Sequence, residues 1–169
     1  MGGADTLDYL SGIDHLVDTG LADPERLGVM GGSYGGYMSS WLITQDSRFS
    51  AAIPMSPVTN MVTEHLLSNI PHFVAAYLDD SYSNSSGKYF TRSPIMQASK
   101  VATPTMIICG ALDCCTPPSE AAQFYSALKE NGVDTVLLIY PEEGHVIRGA
   151  NASKDCAARV TGWFEQNFH

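Results

Sequence analysis

Apolar side chains recur at helical spacing from Asp5 to Thr19, at Leu7, Leu10, Ile13, Leu16 and Val17, and predict an amphipathic helix. Gly20 closes it, because a glycine accepts the left-handed backbone that ends a helix. Asp23-Pro24 makes a turn, and Arg26 to Met30 reads as a short apolar strand. Gly31 to Gly36 reads as a glycine-rich turn and Tyr37 to Gln45 as the next helix. Phe49 to Met55, Thr105 to Cys109 and Thr135 to Tyr140 are further apolar runs of strand length. Between the last two, Ser119 to Glu130 carries Ala122, Phe124, Tyr125 and Leu128 on a helix. A final helix, about Ser153 to Phe168, turns Cys156, Val160, Trp163 and Phe164 to the core. Helix and strand alternate throughout, which predicts an α/β fold: about four parallel strands with helices on both faces.

The stretch from Ser56 to Thr103 departs from that alternation. It joins short helical pieces, Val62 to Ser68 and Phe73 to Leu78, to the polar run DDSYSNSSGKYF. A connection this long between two strands of one sheet is usually functional, and here it is expected to cap one side of a site.

Candidate chemistry lies at the strand ends. Gly31-Gly32-Ser33-Tyr34-Gly35 is a G-x-S-x-G match with an apolar strand before it and an apolar helix after it. A sharp strand-to-helix turn lifts a serine hydroxyl out of the sheet, toward a base that can take its proton. The bland alternative is a glycine turn with an incidental serine. An acid and then a histidine should follow, each just past a later strand, because sites of open α/β sheets gather at the carboxyl ends of strands. Asp113 follows TMIIC and His145 follows TVLLIY. His145 would serve as general base, then acid, and Asp113 would hold its ring and stabilise its cation. The competitors fit less well. His15 sits on the first helix as a surface or capping residue. His65 and His72 lie in the insert, seven apart, a spacing that allows a shared helical face but makes a poor metal site, and His169 is terminal. Glu142 and Glu143 are too near His145 in sequence to orient it from behind and read as solvated; Asp79 and Asp80 lie away from any strand end.

Composition adds the class. With 44% hydrophobic and 16% charged residues the chain is globular rather than disordered. A formal net charge of -9 repels phosphate backbones and anionic lipid, which argues against nucleic acid and membrane partners. No apolar run is long enough for a membrane span, and MGGADTLDYL lacks the regions of a secretory leader, so a cytoplasmic location is expected. Cys109, Cys114, Cys115 and Cys156 have no zinc-type spacing and read as free thiols; neither metal nor other cofactor is expected.

GGSYGGY (Gly31 to Tyr37) after DPERLGVM resembles the elbow of the prolyl oligopeptidase family, closest to its acylaminoacyl-peptidase and dipeptidyl-peptidase-like branch. SPVTN (Ser56 to Asn60), RSPI (Arg92 to Ile95) and TPTMIICGALD resemble the segments that follow it there. Asp113 to Pro117 resembles the family's D-x-x-V-P pattern with Thr116 in place of Val, and YPEEGH (Tyr140 to His145) resembles its histidine loop. The likeness runs along essentially the whole chain, in order. It implies Ser33, Asp113 and His145 as the triad, and residues 1–169 as part of an α/β-hydrolase catalytic domain with a cap-like insert at about 56–103. A full member carries further strands upstream, with a loop that supplies a second oxyanion donor. Within this sequence the expected donor is the backbone N–H of Tyr34, and Tyr34 and Asn60 are expected near the acyl pocket.

The implied function is a serine hydrolase that cleaves small peptide or ester substrates through an acyl-serine. A carboxylesterase acting on short acyl esters is the alternative within that class. An inactive fragment serving as a folding or assembly module is the alternative outside it. An elbow strand without its upstream neighbour has an open edge, so a homodimer or higher homo-oligomer is also expected, through strand or helix pairing.

Overall fold

The computed structural model describes residues 1–168. Helix α1 (Ala4–Asp18) leads through strand β1 (Leu27–Gly32) and helix α2 (Tyr34–Gln45) to strand β2 (Phe49–Met55). Short helices α3 (Met61–Leu67), α4 (His72–Leu78) and α5 (Lys88–Thr91) and a 3₁₀ segment (Pro94–Lys100) follow. Strand β3 (Thr105–Gly110), helix α6 (Pro118–Glu130), strand β4 (Thr135–Tyr140) and helix α7 (Ala150–Asn167) complete the order.

The four strands pair in parallel in the order β1-β2-β3-β4. Each crossover steps to the adjacent strand in one direction. Crossovers of one hand therefore lay α2, the insert and α6 on the same face. There Tyr37, Leu42, Ile107, Phe124 and Leu128 form the larger core. Helix α7 returns across the opposite face, where Cys156 and Trp163 meet Ala51, Ile53, Met106 and Ile108. The period of two is plain in β3: Ile107 and Cys109 face one core, Met106 and Ile108 the other. All six residues of β3 are buried, as a central strand covered on both faces requires.

Three local expectations are corrected. The turn predicted over Gly31 to Gly36 shrinks to Ser33 alone, because β1 runs on through Gly32 and α2 begins at Tyr34. Leu7 and Leu16, placed with the core by periodicity, are 68% and 44% exposed; only Leu10 and Ile13 of that set reach the large core. The insert also holds more order than its polar run suggests. Asp80 accepts bonds from the Ser81 amide, the Lys88 amide and Asn84 Nδ2, which folds DDSYSNSSGK into a turn. Beyond it Tyr89 is fully buried, and its hydroxyl meets His65 Nδ1 at 2.9 Å.

Candidate active site

The nucleophile position is built by sterics. Ser33 has φ 59° and ψ -118°, a conformation unfavourable for a residue with a Cβ. It is held there by its amide, which donates to the Met55 carbonyl at 3.0 Å. Helix α2 can start immediately only because its flanking residues are small. A Cβ on Gly31 would stand 2.7 Å from the Gly35 carbonyl carbon. One on Gly36 would stand 2.9 Å from Pro57 Cα and closer still to the Met55 carbonyl oxygen.

The three expected residues meet. His145 Nε2 lies 2.9 Å from Ser33 Oγ, and His145 Nδ1 lies 2.9 Å from Asp113 Oδ2. Residues 112 positions apart thus share a proton path, although each stands just past the end of its own strand. Asp113 is buried, and its Oδ1 accepts the amides of Cys115 at 2.8 Å and Thr116 at 2.9 Å. Burial opposes its charge, but the bonds from His145, Thr116 and Cys115 outweigh that and hold its carboxyl below the usual range. Asp113 is therefore ionised wherever a histidine can act as base.

Two supporting residues were not expected. The Thr116 hydroxyl is 2.9 Å from both Asp113 Oδ2 and the Ser56 carbonyl, and its single proton serves one at a time. The Ser56 hydroxyl donates to the His145 carbonyl at 3.1 Å, which ties the histidine loop to the end of β2. Both are loop contacts between distant segments, with no periodic signal to announce them. The Cys114-Cys115 pair gains a structural account: all four cysteines are free thiols, and the pair's carbonyls receive the Asn69 amide at 2.8 Å and the Ser68 hydroxyl at 2.6 Å. The insert is thereby fastened to the acid loop.

Tyr34 is the first residue of α2, so its N–H has no acceptor within the helix and stands beside Ser33. Its phenol donates to the Asp5 carboxylate. Asn60 is not a pocket residue. Its Oδ1 accepts the Val62 and Thr63 amides as N-cap of α3, and its Nδ2 donates to Gln123 at 2.9 Å. Glu143 is not merely solvated either: it accepts the Arg148 amide at 2.7 Å and the Gly149 amide at 2.9 Å, shaping the turn into α7. His65 and His72 stand on separate helices, α3 and α4, and share no face.

Two cavities flank Ser33. The larger, about 620 Å³, lies under Met30, Met55, Ile108 and Val160 and has His145 in its wall. The smaller, about 110 Å³, is walled by Tyr34, Val58, Glu64, Ile70, Phe73 and Cys115. The insert supplies Val58, Glu64, Ile70 and Phe73.

Two buried carboxyls of this region give a pH prediction. Glu120 is buried, and its Oε2 accepts the Thr59 and Asn60 amides, each at 2.7 Å. Burial pushes its carboxyl up to about 8, and burial pushes that of Glu64 up to about 7, from an ordinary 4.5. Between those values the folded chain holds protons that the unfolded chain has released. Their contribution to stability is therefore full below about 4.5 and is lost as pH rises through 7 and 8. The urea midpoint is expected to fall between pH 5 and pH 8.5, and Glu120→Gln, neutral throughout, to show a shallower fall. An equal fall in the variant would remove Glu120 from the account.

The model of the "Prolyl oligopeptidase family" matches residues 1–169. The acylamino-acid-releasing enzyme of Arabidopsis thaliana is 34% identical over 175 residues, covering 98% of this chain and 23% of that protein. The uncharacterized peptidase YuxL of Bacillus subtilis (strain 168) is 33% identical over 171 residues, covering 98% of this chain and 26% of that protein. The chain thus spans about a quarter of the length of these curated relatives. The acylaminoacyl peptidase of Pyrococcus horikoshii superposes with a TM-score of 0.93 at 28% identity, over 99% of this chain and 28% of that one. The α/β-hydrolase layout, the elbow and the match along the whole length agree, and this chain belongs to the prolyl oligopeptidase family.

Proposed function

We propose that the chain carries the catalytic centre of a serine peptidase, with Ser33 as nucleophile, His145 as general base and acid, and Asp113 as the residue that orients and charges the histidine. The observation that carries this reading is the continuous relay Ser33 Oγ–His145 Nε2 and Nδ1–Asp113, with both links at 2.9 Å. In the first step the Ser33 proton passes to His145 Nε2 while Oγ bonds to the substrate carbonyl carbon. The carbonyl oxygen takes the negative charge beside the Tyr34 N–H and the positive end of α2. The tetrahedral species collapses, the amine leaves with the proton from His145, and an acyl-Ser33 remains. Water, deprotonated by His145, releases the acid and restores the serine. The insert 56–103 caps this centre, since it walls the smaller cavity. Short peptides are the substrate class, and esters of the same acyl groups are convenient probes. A fluorophosphonate is expected to label the chain at Ser33, located by mass of the modified peptide. Labelling elsewhere, or equal labelling of Ser33→Ala, would sink the assignment.

For the 169-residue chain we also propose self-association through β1. Among the described residues β1 pairs with β2 alone, so one side of its backbone is open, and Met30 on it is 48% exposed. An open edge beside apolar side chains templates another strand, and a two-fold pairing closes it. Light scattering at micromolar concentration is expected to give twice 18.2 kDa. A monomer mass independent of concentration would exclude it.

A further inference from the structure

The two cavities beside Ser33 have different chemistry, and the reaction assigns them to different halves of a substrate. The leaving amine must take its proton from His145 Nε2. It therefore departs on the side of the larger cavity, whose wall holds His145, Val146 and Ile147. The acyl half is then left to the other cavity that Ser33 lines, the smaller one, whose wall does not include His145.

The wall of that smaller cavity contains an anomaly. Val58, Ile70 and Phe73 are apolar, as an acyl pocket requires, but Glu64 stands among them with 0% of its surface exposed. Both of its carboxylate oxygens are buried and neither has a hydrogen-bond partner. The Ser68 hydroxyl, one turn along the chain, is near enough to favour the Glu64 charge, but its single proton goes to the Cys115 carbonyl at 2.6 Å. Among the described residues no ion pair includes Glu64. Its charged neighbour, Asp113, is of the same sign and is engaged with His145. Glu120 differs in this respect: one of its oxygens is held by the Thr59 and Asn60 amides and fastens the loop after β2. Buried polar groups are nearly always satisfied, and an unpaired buried carboxyl is expensive. Burial, reinforced by Asp113, pushes the Glu64 carboxyl up to about 7, so a cation that binds there also draws off its proton.

We propose that Glu64 is a specificity-determining residue, and that the cavity beside Ser33 takes a cationic side chain, lysine or arginine, on the acyl side of the bond to be cut. The inference rests on Ser33 as nucleophile. A cation entering the cavity supplies the donors that both Glu64 oxygens lack, and the apolar wall packs its methylene stem. An uncharged side chain of the same length fills the space but leaves the carboxyl unpaired. Discrimination of this kind, set by a charged hydrogen bond, amounts to about ten- to hundredfold in kcat/KM.

The test uses the intact protein and three peptidyl aminomethylcoumarins that differ only at the acyl-side residue: lysine, arginine and norleucine. The wild type is expected to favour lysine or arginine over norleucine by about tenfold or more. In Glu64→Gln and in Glu64→Met that ratio is expected to fall to near one. The ratio is the readout because a folding defect lowers both substrates alike. A wild-type ratio at or below one, or a ratio unchanged in either variant, overturns the proposal. Turnover surviving in Ser33→Ala would instead overturn the nucleophile assignment, so the two failures are distinct.

Discussion

Ser33→Ala is expected to lower hydrolysis of a chromogenic acyl ester by about 10⁴- to 10⁶-fold in kcat. Without Oγ there is no covalent intermediate. The Tyr34 amide and the binding cavities then act only on a slow attack by water. The fold should survive, since among the described residues the Ser33 hydroxyl hydrogen-bonds only to His145 and the turn is held by the backbone bond to Met55. Ser33→Gly sharpens the result. The φ of 59° is strained for serine and free for glycine, so this variant should be as inactive but more stable by about 1 kcal/mol. Activity would then be seen to rest on a position that works against stability. Steady-state kinetics alongside thermal unfolding decide it, and an alanine variant within tenfold of wild type contradicts the assignment.

Asp113→Asn is the second large effect, a fall of about 10⁴-fold in kcat with little change in KM. Asparagine keeps an oxygen to accept the Cys115 and Thr116 amides, so the loop should hold its shape. What changes is the atom facing His145 Nδ1, which becomes an N–H donor instead of an acceptor. The ring answers by carrying its proton on Nε2, toward Ser33, where it can no longer take the serine proton. The imidazolium also loses the neighbouring negative charge that stabilises it. A loss below tenfold would mean that Asp113 neither sets the tautomer nor supports the charge. Circular dichroism of the variant checks that its fold is intact.

The residues legible in advance share one property: their signal is local. An elbow needs an apolar strand, a crowded glycine turn and a helix, and all three stand within the stretch from Leu27 to Gln45. Asp113 and His145 were legible because parallel topology puts the carboxyl ends of strands on one edge, so a residue just past each strand is already near the others. The helix and strand order followed from periodicity for the same reason.

Local reading failed where a side chain's partner lies far along the chain. Asn60, read as a pocket residue, is a helix cap whose Nδ2 reaches Gln123, 63 positions away. Leu7 and Leu16 have the right spacing for a core, but which part of an apolar face is covered depends on what packs against it. Ser56 and Thr116 brace the relay through contacts 89 and 60 positions apart; both lie in stretches that resemble the family, but nothing local to either one shows what it touches. Glu64 is the extreme case. In the sequence it is one acid in a short helix of mixed composition; in the fold it is an unpaired carboxyl beside the nucleophile. Strand, elbow and helix are dictated by backbone sterics and by apolar spacing over a few residues, and the sequence determines those by itself. Burial, and with it the charge state and partner of each polar group, is created only when distant segments exclude water from one another, and that the tertiary structure alone decided.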